Sequence, residues 1–272
     1  MSGMLPGVKK AIAVAAGKGG VGGSTVSANL SLALAQKGHR VGLLDGNIYA
    51  PGVPRLFGLG KGADVSQGER IIPPVKFGIQ VMSMGLLAPG SGTIIWRGPM
   101  ADSLLQKLLE GVYWDNVDYL IIDLPSGTGQ TQATLTQSAV LEGAIIVTTP
   151  QQASLVDSRR ELQALSLARV PIIGLVENMS YYICPSCNEH VDLFGVGGGE
   201  REARALGIPF LGGVPVVAEQ EMQATRGEPV VSAKPDSAVA RAFLELSCEL
   251  LNALERMPSG GYKAKADIDW QG

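Results

Sequence analysis

Apolar residues along the chain fall into two kinds of run. Short, β-branched runs at 10–16 (KAIAVAA), 40–45 (RVGLLD), 79–84 (IQVMSM), 118–123 (DYLIID), 144–149 (AIIVTT), 172–176 (IIGLV) and 209–214 (PFLGGV) predict strands. Between them, residues 24–37, 99–110, 131–140, 154–168, 199–206 and 236–255 carry helical patterns. In the first of these, Val26, Leu30, Leu32 and Leu34 are the apolar positions, and Gly38 ends the helix. Continuous apolar strands with helices between them predict an α/β fold: three layers, with a mostly parallel, doubly wound sheet covered on both faces. Residues 46–78 and 179–199 and the polar stretch from Pro258 read as loops, and none marks a domain boundary. The expectation is one domain over residues 1–256 and a flexible C-terminal tail over 257–272.

Composition narrows the class. Hydrophobic residues make up 46% of the 272, enough for a large core, while charged residues reach only 17%, against about 25% in an average globular protein. A net charge of −3 argues against nucleic-acid binding through overall charge. No apolar run approaches the ~18 residues of a membrane span. The run Ala11–Ala16 after Lys9 and Lys10 is too short for a signal-peptide core, so a cytoplasmic protein is expected. Three cysteines do not make a disulfide framework. Glycine is in excess, 36 residues in all, about twice the usual share, and much of the excess sits in loops with a chemical reading.

The first strand runs into Gly17-Lys18-Gly19-Gly20-Val21-Gly22-Gly23-Ser24-Thr25, and the first helix follows. A phosphate-binding loop is spelled G-x-x-x-x-G-K-[ST] between strand and helix. Gly17 and Gly22 occupy its two glycine positions and Ser24 its Mg²⁺-ligand position. Glycines let the backbone curl so that successive N–H groups point inward, and the helix N-terminus favours an anion. The lysine that should reach the β- and γ-phosphates is replaced by Gly23, whereas Lys18 stands near the start of the loop. A charge-assisted hydrogen bond contributes about 1.5–3 kcal/mol, so this loss is expected to weaken nucleotide binding by roughly 10- to 150-fold. Asp45 and Asp123 each end a strand, where a carboxylate beside a phosphate loop can hold Mg²⁺ directly or through water.

Cys184-Pro185-Ser186-Cys187 is a C-x-x-C pair in a polar stretch. Two thiolates at this spacing can chelate one corner of a metal site, but zinc and [4Fe–4S] sites need four ligands. A redox pair and half of a zinc site are the alternatives. Two copies of the chain meeting at this loop would supply four sulfurs. His190 reads as an exposed loop histidine near the pair, and Cys248, inside AFLELSCELL, as a buried small apolar residue.

The loop GKGGVGGST resembles that of the deviant-Walker-A ATPases, which include MinD, ParA and the nitrogenase iron protein. Residues 43–59, IIWRGPM (94–100), 121–132, 147–157, 174–200 and 208–215 narrow the resemblance to the Mrp (ApbC-like) iron–sulfur cluster carriers, over residues 8 to about 255. The resemblance implies a homodimer with a labile [4Fe–4S] cluster bridging two Cys184/Cys187 pairs, ATP and Mg²⁺ as cofactors, and apo iron–sulfur proteins as clients. It makes Lys18 the signature lysine that reaches the partner's phosphates, Asp123 the Walker B-like acid and Asp45 the first acid of a D-x-D. Asn178 would hydrogen-bond the adenine, and Pro215 would flank it. The chain departs from the pattern at Gly23, at Asn47 (in place of the water-orienting acid), at Ser126, at Gln130 and at Val217. Asn can hold a water but cannot take its proton, and general-base help is worth about 10²- to 10⁴-fold. Slow or absent ATP hydrolysis is therefore expected. A hydrolysis-dead scaffold acting through protein contacts is the alternative. A MinD- or ParA-type positioning ATPase is a further alternative, but residues 255–272 show neither amphipathic periodicity nor strong basicity, so no membrane or nucleic-acid partner is expected.

Overall fold

The apolar runs pair side by side into a nine-stranded sheet in the computed structural model. It describes residues 5–60, 66–67, 70–87, 98–127, 129–184, 186–187, 189–217, 226–258 and 261–262. Motif residues 94–97, the single residues 128, 185 and 188, and the sequence beyond 262 lie outside that set. In chain order the elements are β1 (Val8–Ala16), α1 (Gly23–Gln36), β2 (Val41–Asp45), α2 (Val53–Leu56), β3 (Ser66–Gln67), β4 (Arg70–Ile71), β5 (Val75–Lys76), β6 (Ile79–Ser83), α3 (Met84–Leu87) and α4 (Gly98–Gly111). There follow β7 (Val117–Asp123), α5 (Gln130–Ser138), β8 (Gly143–Thr148), α6 (Gln152–Leu167), β9 (Ile172–Ile183), β10 (His190–Val191), α7 (Gly198–Leu206), β11 (Phe210–Val216), α8 (Val230–Ala233) and α9 (Ala238–Arg256).

β1 sits at the centre and pairs in parallel with β7 and β8. Beyond β7 the parallel order runs through β2 to β6, and beyond β8 to β9 and β11. Among the described strands, the short β5 and β10 pair antiparallel to this sheet. Successive strand residues point to opposite faces, which splits the core in two. Ile12 and Val14 join the face covered by α1 and α9, while the small Ala11, Ala13 and Ala15 join the face that holds Leu105 and Leu108 of α4 and Leu162 of α6. Trp114 and Leu120 close against Gly42, where an added Cβ would stand 2.8–2.9 Å from both side chains.

α1 packs on the sheet and against α9, which itself packs on β11, and nine consecutive residues, Val26 to Leu34, are buried. Its polar members are satisfied internally. Ser31 Oγ donates to the Ser27 carbonyl, and Asn29 Nδ2 donates to the Thr25 carbonyl while its Oδ1 accepts from the Val231 N–H. Two stretches depart from the loop reading. Residues 46–78 contain α2 and the short strands β3 to β5, and the stretch after 178 continues β9 to Ile183 and returns as β10. The second departure has a clear cause: this hairpin is half-exposed or exposed and has no apolar period for sequence reading to detect. Beyond α9, Tyr262 makes an antiparallel bridge to Ile172. Among the described residues no helix is long and apolar enough to cross a membrane.

One buried polar contact joins α5 to α6. Gln132 Nε2 donates to Glu161 Oε1, while Gln132 Oε1 and Glu161 Oε2 have no partner among the described residues. A proton on Glu161 would satisfy both atoms, because its O–H could donate to the amide oxygen. Burial raises the Glu161 pKa to about 7, against the lowering effect of the Gln132 hydrogen bond. A carboxyl held higher in the fold than in the unfolded chain stabilises most at low pH, and that contribution is lost as pH rises through the folded value. Chemical denaturation should therefore show stability declining from about pH 4.5 to 7, and Glu161→Gln should make that decline shallower by removing this group's share. An unchanged slope in the variant would mean that Glu161 is not the group responsible.

Candidate functional site

The phosphate loop leaves the C-terminal end of β1 and enters α1 with Gly22 at the N-cap, in the left-handed region at φ 88°. No side chain caps the helix, so its first-turn N–H groups are left for an anion. The glycines have distinct reasons. A Cβ on Gly17 would lie 2.2 Å from the Asp157 carbonyl oxygen, and one on Gly22 would lie 2.1 Å from Asn178 Nδ2. Gly20 also has positive φ, at 85°. Gly23 differs from these: it is not among the residues of positive φ, and an added Cβ would meet Ala16 Cβ at 3.3 Å and Asp123 Oδ1 at 3.9 Å. The backbone does not require glycine there, although a Cβ would press on Ala16 and need a shift of a few tenths of an ångström. Val21 is buried, Gly19 is exposed, and Lys18 and Thr25 are half-buried. Lys18 makes no ion pair among the described residues.

The parallel register sets Asp45 of β2 directly beside Asp123 of β7. Asp123 is buried; its Oδ2 accepts from Ser24 Oγ at 2.6 Å and its Oδ1 from Ser27 Oγ at 2.8 Å. Burial raises its pKa to about 6, and the two serine hydrogen bonds act in the opposite direction. Asp45 accepts from the Asn47 N–H at 3.0 Å, the Val53 N–H at 3.1 Å and Ser83 Oγ at 3.1 Å. Burial, then the charge of Asp123, raises it to about 7. A hydroxyl and a carboxylate in contact at the mouth of a phosphate loop form a hard-oxygen donor set suited to Mg²⁺. Asn47 is engaged elsewhere, its Oδ1 accepting from the Ala50 N–H at 3.1 Å.

β9 and β11 bring the two expected base-contacting residues together. Asn178 pairs in register with Val214, next to the buried Pro215. Asn178 Nδ2 donates to the Val21 carbonyl at 2.9 Å, a strut from the strand end to the phosphate loop. Val217, which follows β11, is half-buried and packs on the core.

The cysteines lie where β9 gives way to β10. Cys184 is half-buried and Cys187 exposed, and both are free thiols. The Cys184 N–H donates to the Glu189 carbonyl and closes the hairpin. The backbone N–H groups of Cys187 and Ser186 lower the Cys184 pKa, with further help from the Cys187 side chain. For Cys187 the Glu189 N–H lowers the pKa, but the Cys184 sulfur, burial and the Glu189 carboxylate raise it, and the rise prevails. His190 is exposed in β10 and stacks on Tyr181, ring centroids 4.6 Å apart. Cys248 corrects the expectation of a buried residue: it is exposed, on the outer side of α9. Among the described residues no group of three or more His, Cys, Asp or Glu could hold a metal ion.

Sequence reading missed Ser27, Ser83 and Glu177. Ser27 is one helical turn beyond Ser24, a spacing that could have flagged it. Ser83 reaches Asp45, and Glu177 reaches Gly199, only through the tertiary fold.

Comparison with known proteins follows the same lines. The family model described as ParA: NUBPL iron-transfer P-loop NTPase matches residues 7–251. A protein of Aquifex aeolicus named iron-sulfur cluster carrier protein is 46% identical, over 92% of this chain and 70% of its own length. An Arabidopsis thaliana protein, named iron-sulfur protein required for NADH dehydrogenase, mitochondrial, is 41% identical over 93% of this chain and 81% of its own. A nucleotide-binding protein of Archaeoglobus fulgidus, solved in complex with ADP, superposes with a TM-score of 0.72 at 36% identity, over 85% of this chain and 90% of that one. The cell division ATPase MinD of Pyrococcus furiosus shares the fold, with a TM-score of 0.65 at 23% identity over 89% of this chain and 98% of that one. A phosphate loop on β1, two carboxylates in register beside it and a family match over most of the length agree: the chain belongs to the NUBPL iron-transfer family of ParA-type P-loop NTPases.

Proposed function

We propose that this chain is an ATP-binding iron–sulfur cluster carrier that acts as a homodimer in the cytoplasm and delivers its cargo to apo-proteins. The observation that carries the reading is the placement of Cys184 and Cys187 at the tip of a hairpin grown from β9, the same strand that braces the phosphate loop through Asn178. The cargo is a [4Fe–4S] cluster held by four sulfurs, two from each copy. Val191, Leu193, Phe194 and Val196 are exposed next to the cysteines, and an apolar surface of this kind favours a docked second copy. The names of the relatives support the cargo, and the ADP complex of the Archaeoglobus protein supports the nucleotide.

In this reading Gly17 to Thr25 cradle the phosphates and Lys18 reaches across to the partner's nucleotide. Ser24 and Asp123 hold Mg²⁺, with Asp45 behind them, and the ion neutralises phosphate charge. Asn178 has one amide N–H on Val21, so its second N–H and its carbonyl oxygen are left for the edge of the adenine, with Pro215 flanking the ring. Hydrolysis is slow or absent. Gly23 contributes no charge to the phosphates, and Asn47 cannot act as a base and is turned into its own loop.

Three measurements test the proposal. Anaerobic reconstitution with iron and sulfide should give a coloured dimer with about four irons per pair of chains, and Cys184→Ala or Cys187→Ala should abolish both colour and iron. Full cluster retention by either variant would exclude the bridging site. In calorimetry with Mg-ATP, Gly23→Lys should tighten binding by roughly 10- to 150-fold; unchanged affinity would show that the missing lysine is not the limiting contact. Phosphate release by the native chain should stay well below about 1 s⁻¹, and faster turnover would remove the claim of impaired hydrolysis.

A further inference from the structure

The cysteine hairpin is rooted on a single buried side chain. Glu177 of β9 is 1% exposed. Its Oε1 accepts from Ser180 Oγ at 2.6 Å, and its Oε2 accepts from the Gly199 backbone N–H. Ser180 precedes the cysteines and Gly199 follows them, so one carboxylate ties down both ends of the segment that carries Cys184 and Cys187. Two glycines are shaped around the clamp. A Cβ on Gly199 would stand 3.1 Å from Glu177 Oε2, and a Cβ on Gly213 of β11 would stand 2.7 Å from Ser180 Oγ.

The backbone at this root is irregular. Met179, between Asn178 and Ser180, sits at φ 54°, a left-handed conformation that non-glycine residues adopt only where their surroundings hold them there. β11 registers the irregularity: Val214 pairs with Asn178 and Val216 with Tyr182, so two residues of advance on β11 match four on β9. The residue next to Glu177 is Asn178, whose side chain holds the phosphate loop at the Val21 carbonyl. The contacts form an unbroken path from Val21 through Asn178 and Glu177 to Ser180 and the cysteine hairpin.

We propose that Glu177 is a positioning residue that sets the cysteine hairpin against the phosphate loop, and that a nucleotide in the loop changes the exposure of the two thiols through it. This rests on the nucleotide-binding reading above. A nucleotide that shifts Val21 displaces Asn178, and the bulge at Met179 is where β9 can take up the change. Glu177 determines whether the hairpin follows, because it holds both roots. Coupling between sites requires such a connected element, with different contacts in its two states.

The test uses the reduced full chain without cluster, alkylated under limiting reagent and followed by mass spectrometry, with and without saturating Mg-ADP. The exposed Cys248 is the internal reference. In the native chain Mg-ADP should change the alkylation rates of Cys184 and Cys187 by about fivefold or more and leave Cys248 unchanged. Glu177→Gln replaces one acceptor oxygen with an NH₂ group, and Ser180→Ala removes one root. Each should keep a cooperative melting transition and bind Mg-ADP within about threefold of native, yet lose most of the nucleotide effect on the thiols. Should Glu177→Gln fail to fold, Ser180→Ala decides. Variants that bind Mg-ADP and keep the native rate ratio would overturn the proposal, as would a native chain that binds Mg-ADP with no change at either thiol. Calorimetry separates the two levels: binding without coupling removes this inference alone, and no binding removes the nucleotide reading with it.

Discussion

A carboxylate at the end of a central strand, out of reach of water, has to be satisfied from inside the protein. Asp123 meets that demand with the hydroxyls of Ser24 and Ser27, which lie on one side of α1 because they are three residues apart. The pairing fixes the rotation of α1 on the sheet and, with it, the entry of the phosphate loop. Val26, Leu30 and Leu34 then pack into the same apolar layer as Ile12, Val14 and Leu43. Asp45 stands alongside in the next strand, and each acid is held above the ordinary carboxylate range mainly by burial. Two acids so close and so dry store a preference for positive charge, which Gly23 does not supply.

That shortage gives the departures from the family pattern their meaning. Gly23 sits where the backbone would accept a side chain, with a small shift of Ala16 to make room for its Cβ. Asn47 keeps its place in the loop through Ala50, a contact an aspartate could also make. Both substitutions bear more on the charge around the phosphates than on the fold. Gly17 and Gly22 behave in the opposite way, since a Cβ at either would strike Asp157 or Asn178. The loop therefore separates residues that shape it from residues that would act on the nucleotide.

The parallel sheet was legible because its strands are short, apolar and buried, and because most crossovers carry a helix with its own period. β1, β7, β8 and the helix α9 lie within a few residues of where the pattern put them. The phosphate loop was legible because its chemistry is local: nine consecutive residues spell it. Legibility failed where a contact depends on residues far apart in sequence or where burial gives no pattern. The hairpin from Asn178 to Val191 alternates too weakly to announce a strand. Cys248 was misplaced because the apolar residues around it suggested an all-round buried helix, whereas Phe243, Leu246, Leu250 and Leu254 make one stripe that leaves 248 outside. Glu177 is silent in the sequence, since its worth comes from Gly199, twenty-two positions further on.

The thiol pair projects from the strand ends and contributes nothing to either half of the apolar interior. Small metal domains draw their folding free energy from the ion they hold; here the apolar core is assembled without the thiols. Removing either sulfur therefore takes no apolar contact out of the core. The pair can be altered on its surface arm while the nine-stranded scaffold keeps its core contacts.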